Sequence, residues 1–374
     1  MDKKATIYIA GHKGLVGSAL YRNLESHGYL NIVVRTHAEL NLEEPEAVNS
    51  FFETEKPQFV FLAAAKVGGI RANATYPKDF LLTNLKIQNN VIEASYKYGV
   101  RRLLFLGSSC IYPKLAPQPL KEKYLLTGLL EPSNEPYAIA KIAGVKLCEA
   151  FNRQHGTCFL SVMPTNLYGP NDNYDLKNSH VLPALIRKFH LAKLASKGDW
   201  EMILREQALY GVIPEEQLAD LIAITTASGF KPPADIRCNS QSLQKAVPGV
   251  RLWGTGTPYR EFLHADDLAQ ACIFLMNLED AEFDELVVPP RLPLVNIGCG
   301  NDQTLKATAE IVANIVDYKG EIIWDQTRPD GTPRKILDVS IINALGWQAK
   351  ISLKTGLRRT YNQYCAKINQ NTSK

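Results

Sequence analysis

Ala5-Thr6-Ile7-Tyr8-Ile9-Ala10-Gly11-His12-Lys13-Gly14-Leu15-Val16-Gly17 is the stretch from which the fold is read. Residues 5–10 are a short β-rich run. The glycines at 11, 14 and 17 follow as GxxGxxG, and a helical pattern continues to about His27. Strand, glycine turn and helix in that order make a dinucleotide turn. Glycine permits the tight bend and the close approach of a pyrophosphate, which rests on the helix N-terminus. A plain strand–helix connection is the competing reading of the motif taken alone.

Working outward, the alternation continues. Strand-like runs at 31–35, 59–63, 102–106 and 159–163 are separated by helical stretches at 44–56, at about 84–98 and around Tyr137. Short links between alternating β and α segments predict an α/β fold, a Rossmann-like doubly wound parallel sheet. NAD-binding turns usually place an acid at the end of the second strand, on the ribose 2′-hydroxyl. Here Arg35, Thr36 and His37 stand there, and the first acid is Glu39. A base in that place suits a 2′-phosphate, so the cofactor reads as NADP(H), with Lys13 a second positive contact. Ordinary surface charge is the alternative for Arg35 and Lys13.

Gly107-Ser108-Ser109-Cys110 ends the fourth strand, where open α/β sheets bind ligands. A Ser108 hydroxyl there can donate to a carbonyl oxygen; otherwise it is a turn serine, and Cys110 a small buried hydrophobe. Tyr137 and Lys141 stand one helical turn apart on one face. A phenol of pKa near ~10 is a poor catalyst at neutral pH, and a neighbouring ammonium is expected to lower that value. A partly buried tyrosine beside a solvated lysine is the bland alternative. His180, after a polar stretch, reads as an acid–base group or as a helix-entry histidine.

Hydrophobic content of 45%, charged content of 21% and a net charge of +4 read as globular, and 374 residues suffice for two lobes. The mild positive charge does not imply nucleic acid and suits a small anionic ligand. The seven cysteines (110, 148, 158, 238, 272, 299 and 365) contain no CxxC pair. They argue for reduced thiols in a cytoplasmic protein, against a disulfide framework and against a metal site. No signal-peptide pattern opens the sequence, and no apolar run approaches the ~18 residues of a membrane span.

Taken together, AGHKGLVGSA, LAAAKVGGI, FLGSSCIYPK, EPYAIAKIAG, PTNLYGP and RPDGTPRK resemble the extended short-chain dehydrogenase/reductase superfamily. Within it they look like the GDP-L-fucose synthase family, the 3,5-epimerase-4-reductases of GDP-4-keto-6-deoxy-D-mannose. The resemblance covers nearly the whole chain. It implies epimerisation at C3 and C5, then reduction of the C4 ketone with NADPH. Cys110 and His180 match the family's acid–base positions, Tyr137 its proton donor, Lys141 its ribose contact and Ser108 the group holding the C4 oxygen. Cofactor contacts carry over to Gly11, His12, Lys13, Gly14, Leu15, Val16 and Gly17, to Arg35 and His37, to Ala63, Ala64 and Ala65, to Lys141, to Pro164, Thr165, Asn166 and Leu167, and to His180. Lys13 and His37 depart from the arginines of the relatives, and a neutral His37 weakens the case for a 2′-phosphate. GDP-sugar contacts carry over to Lys188, Trp253, Arg260, Asp330 and Lys335; a core aromatic is the alternative for Trp253. A homodimer is expected by the same analogy. Another NADP-linked nucleotide-sugar epimerase or reductase is the runner-up.

The expected division is 1–178 with a return segment at about 261–299 for the cofactor domain. The smaller mixed α/β substrate domain takes 179–260 and 300–368. Residues 197–250 interrupt the family pattern with two expected helices, at 199–210 and 214–228, ended by Gly211 and Gly229. Asp199, Glu201, Glu206, Glu215, Glu216 and Asp220 face only Arg205 there, which argues against DNA. The insert reads as a lid, an oligomer contact or a neutral elaboration.

Overall fold

The computed structural model describes residues 1–328 and 330–370, with side chains for all of these except 70 and 71. The chain divides into two compact units. The first comprises Met1–Asn171, Glu261–Asn301 and Lys335–Ile351; the second comprises Asp172–Arg260, Asp302–Arg334 and Ser352–Lys374.

The first unit is built on a six-stranded parallel sheet. Its order is Asn31–Val33, Thr6–Ala10, Phe59–Leu62, Arg102–Leu106, Phe159–Pro164 and Leu294–Ile297. The two-residue period of a strand divides its side chains between two cores. Ile7 and Ile9 join one cluster with Phe59, Phe61, Leu104 and Leu106. Tyr8 and Ala10 join the other with Val60, Leu62, Leu103 and Phe105. Helices therefore cover both faces, as the near-continuous apolar strands require. The first strand is succeeded by helix Leu15–Ser26. Helix Pro77–Lys97 begins seven residues earlier than the sequence pattern suggests, because Pro77 opens its first turn and Asp79 follows. Helix Glu135–His155, which carries Tyr137 and Lys141, ends at Gly156 in the left-handed conformation.

The return of residues 335–351 to this unit differs from the expected division. Leu120 and Leu337 form a parallel bridge, with Leu120 N–H donating to Ile336 and Asp338 N–H to Leu120, both at 2.8 Å. The Leu337 N–H donates to the buried Glu261 carboxylate at 2.9 Å, and Ile342 and Trp347 enter the core. None of these partners is adjacent in sequence, so no local pattern marks the segment.

The second unit is mixed α/β. Gly249–Trp253 pairs in parallel with Glu321–Asp325, placing Trp253 opposite Asp325. Helix Val181–Ser196 is its axis, with eleven buried residues. The insert forms helices Trp200–Tyr210 and Glu215–Ala227, close to expectation. Asp199 caps the first, accepting from Met202 N–H.

The insert is built into the core of this unit. Trp200, Ile203, Leu221 and Ile224 are buried. Glu206 and Arg187 are both fully buried and form a two-pronged ion pair at 2.7 and 2.9 Å. Arg187 also donates to the carbonyls of Tyr174, Tyr210 and Gly211, while the Tyr364 hydroxyl donates to Glu206. Asp220 and Glu216 hold Arg251. The acids of the insert thus meet bases supplied from outside it, which a count of charges within the insert could not reveal.

Candidate functional site

The glycine turn forms a cradle shaped for close backbone approach. Gly11 has φ +86°, and a Cβ there would lie 2.8 Å from Ala64 Cα. A Cβ on Gly17 would lie 2.1 Å from the Gly11 carbonyl oxygen. Gly14 caps helix Leu15–Ser26 without a side-chain hydrogen bond, and no acid occupies the first turn. Those N–H groups and the helix dipole suit a pyrophosphate. The residues present therefore fit a dinucleotide.

Of the other expected cofactor contacts, those from residues 63–65 and 164–167 lie at the same sheet, whereas His180 belongs to the second unit. Ala63 N–H donates to Ala10 at 3.1 Å. The Ala64–Ala65 turn leads into Lys66, whose backbone is clamped from both sides by the buried Asn84 amide, at 2.9 and 3.0 Å. Pro164 ends its strand, while Thr165 and Asn166 both donate to the Glu261 carbonyl, at 3.2 and 3.0 Å. Leu167 pairs with Leu263. His12 is pushed below its ordinary pKa by burial and by Lys13, a hydrogen bond from its ring to the Arg35 backbone opposing them.

At the expected 2′-phosphate position the geometry is mixed. Arg35 is ion-paired with Glu55 and donates to its own neighbour's carbonyl, Val34, at 2.8 Å. His37 is exposed. Glu39 accepts from Thr36 N–H, and this bond, with Arg35 and Lys13 adding, holds its carboxyl below the usual range.

Ser108, Cys110, Tyr137, Lys141 and Lys335 come together in the first unit. Ser108 lies two residues beyond the fourth strand, as the N-cap of the short turn Ser109–Ile111, and its hydroxyl accepts from Cys110 N–H at 3.4 Å. Tyr137 packs edge-on against Phe80, ring centroids 6.3 Å apart. Burial raises its phenol well above the ordinary value, Cys110 pushes it further, and a hydrogen bond with Ser108 opposes both. Lys141 is buried, 3% exposed. Its ammonium donates to the Leu106 carbonyl at 2.8 Å and sits 5.8 Å from the Tyr137 ring centroid. Burial lowers it to about 8, with Cys110 acting the other way.

This corrects one expectation. The phenol is not acidified by Lys141: desolvation dominates, and the ammonium spends itself on a backbone carbonyl. Cys110, 8% exposed, is likewise raised by burial, while Lys335, Ser108 and Lys141 pull it down in that order. The sequence reading gave Lys335 to the substrate set and missed its bearing on the thiol, which depends on the return of 335–351. It also missed Asn84, Gln88 and Glu261. Gln88 donates to Ala140 at 2.7 Å and so fixes the helix between Tyr137 and Lys141. A polar residue at an inward helical position was the available signal for both amides.

The remaining candidates belong to the second unit. His180 is exposed and precedes helix Val181–Ser196 as its N-cap residue. Lys188 donates to the Arg251 carbonyl at 3.0 Å, and burial lowers it to about 8 against Asp220 and Glu216. Trp253 is 52% exposed, so it is no core aromatic; the Arg328 guanidinium lies 5.2 Å above its ring. Asp330 accepts from Thr255 N–H and hydroxyl, at 2.9 and 2.7 Å, fixing the turn after Trp253. Arg260 is partly buried and donates to the Tyr259 carbonyl. Pro329 lies outside the described residues.

The model of the NAD dependent epimerase/dehydratase family matches residues 7–207 and 232–288. The chain belongs to that family. The break in the match, 208–231, falls inside the insert. Among the family's curated members, the chain is 49% identical over 370 residues to putative GDP-L-fucose synthase 2 of Arabidopsis thaliana, covering 99% of this chain and 94% of that one. It is 46% identical over 361 residues to GDP-L-fucose synthase of Escherichia coli K12, covering 96% and 97%. It is 40% identical to the solved GDP-D-glycero-L-gluco-heptose synthase of Campylobacter jejuni, crystallised in the presence of NADPH, with a TM-score of 0.82 and coverage of 98% and 99%. Among the described residues no helix is long and apolar enough to cross a membrane, and no cluster of three His, Cys, Asp or Glu side chains could hold a metal.

Proposed function

We propose that this member of the family converts GDP-4-dehydro-6-deoxy-D-mannose to GDP-L-fucose, by epimerisation at C3 and C5 and NADPH-dependent reduction at C4. The observation that carries it is the grouping of a thiol, a phenol and a hydroxyl beyond the end of the fourth strand, Cys110, Tyr137 and Ser108, with Ser108 bearing on both the thiol and the phenol and Cys110 on the phenol.

The carbons flanking the ketone lose a proton readily because the enolate spreads charge onto the C4 oxygen. Cys110 and His180 serve as the acid–base pair, one removing a proton and keeping it, the other delivering its own solvent-derived proton to the opposite face. Lys335 favours the thiolate. Ser108 donates to the C4 oxygen and stabilises it as charge develops. Bound NADPH supplies the hydride. Tyr137, kept protonated by burial, gives its proton to the C4 oxygen. Gly11, Gly14 and Gly17 hold the pyrophosphate, Lys141 the nicotinamide ribose, and Lys13 with Arg35 the 2′-phosphate once Arg35 leaves Glu55. Lys188, Trp253, Arg260, Asp330 and Lys335 bind the GDP-sugar. The protein works in the cytoplasm as a homodimer; exposed Leu82, Tyr96 and Ile139 on two neighbouring helices support self-association.

The test is incubation with the ketosugar and NADPH in D2O. Deuterium at both C3 and C5, with cofactor oxidation, is the expected result. A second reading, a GDP-heptose synthase or reductase, draws on the 40% identity to the Campylobacter enzyme. Turnover of a GDP-heptose in preference to the deoxyhexose would favour it.

A further inference from the structure

Trp253 and Arg328 are held together by an arrangement that leaves both half open to solvent. Asp325 stands opposite Trp253 in the paired strands. The chain then turns: Thr327 donates to the Asp325 carboxylate, and Arg328 N–H donates to the Asp325 carbonyl at 3.2 Å. The turn folds Arg328 back over the indole, 5.2 Å from its centroid. Two carboxylates steer the guanidinium: Asp325 at 3.7 Å and Glu216 at 3.8 Å.

Glu216 comes from the insert and also binds Arg251 at 3.1 Å. Lys188 in turn rests on the Arg251 carbonyl. On the other side of Trp253, Asp330 fixes the turn that leads to Arg260. The insert thus reaches the indole through one arginine.

Cation–π pairs occur at exposed as well as buried sites, and an exposed one leaves part of the ring and of the cation open to a ligand. Here Arg328 keeps 46% and Trp253 52% of its surface exposed, within a neighbourhood that also carries Lys188, Arg251 and Arg260. A planar guanidinium beside an open indole suits a ligand that is flat at one end and anionic at the other. We propose that Arg328 is a nucleotide-binding residue, taking a purine nucleoside diphosphate together with Trp253, and that the insert positions it through Glu216. This rests on the GDP-sugar reading above and adds to it a residue and a role for the insert.

The experiment is calorimetric titration of GDP into the full-length protein and its variants. Arg328→Ala should weaken GDP about tenfold, with NADPH affinity and the thermal midpoint unchanged. Arg328→Lys, which keeps the charge and loses the plane, should recover only part of that loss. Glu216→Ala should alter GDP affinity in the wild-type background and leave it unchanged once Arg328 is alanine. Unaltered GDP binding by Arg328→Ala, with wild-type binding intact, overturns this inference alone. Failure of the wild-type protein to bind GDP overturns the GDP-sugar reading as well.

Discussion

The Lys141 ammonium donates to the Leu106 carbonyl oxygen at 2.8 Å, tying the tyrosine-bearing helix to the end of the fourth strand. Its low exposure has a consequence for pH. Burial brings Lys141 down to about 8 from an ordinary 10.5. Between those values the unfolded chain binds the extra proton, so this lysine makes stability rise with pH above about 8. Activity moves the opposite way, because a neutral amine is a poorer ribose contact. The kcat/KM for NADPH reports ionisations of the free enzyme, and should fall as pH rises through about 8. Lys141→Met should bind NADPH weakly at every pH. A profile flat from pH 7 to 9.5 in the wild-type protein contradicts this assignment.

Tyr137→Phe separates the two halves of the reaction. The phenol is the proton donor for reduction and has no part in removing protons from C3 or C5. NADPH oxidation should drop by about 10²–10⁴-fold while deuterium still washes into both carbons. Parallel loss of exchange and oxidation argues instead that the phenol serves both stages.

Cys110 and Lys335 should fall together. Burial keeps the thiol above its ordinary pKa, and Lys335 is the largest influence opposing that rise. Removing that positive charge pushes the thiol higher still, so Lys335→Met should slow C3/C5 exchange by about tenfold at pH 7. Cys110→Ser should impair exchange more severely. Raising the pH should restore part of the Lys335→Met rate and none of the serine variant's. Exchange at the normal rate in Cys110→Ser removes the thiol from the mechanism.

What could be read along the chain was what the chain encodes locally. The glycine turn, the strand–helix alternation and the Tyr137–Lys141 spacing are all set by neighbours within a few residues. What could not be read was set by distant partners. Lys141 looked like an activator of the phenol because spacing places the two residues together; only the fold shows the Leu106 carbonyl receiving the ammonium and burial governing both pKa values. Residues 335–351 return to the first unit through Leu120 and Glu261, more than 70 positions away. Arg35, a base just beyond the second strand, is occupied by Glu55, 20 residues on.

The insert gives the last case. A detachable lid would leave the second unit intact when removed. Here Arg187 of helix Val181–Ser196 is fully buried and depends on Glu206 for its only carboxylate among the described residues. Deleting the partner of a buried charge costs about 3–5 kcal/mol, far more than a surface contact. Glu206→Ala should therefore lower the thermal midpoint by many degrees, and removal of residues 199–248 should unfold the second unit rather than raise a KM. Glu206→Gln, which keeps the hydrogen-bonding shape without the charge, should fall between. A soluble, cooperatively melting deletion protein with altered KM alone returns the insert to the role of a lid.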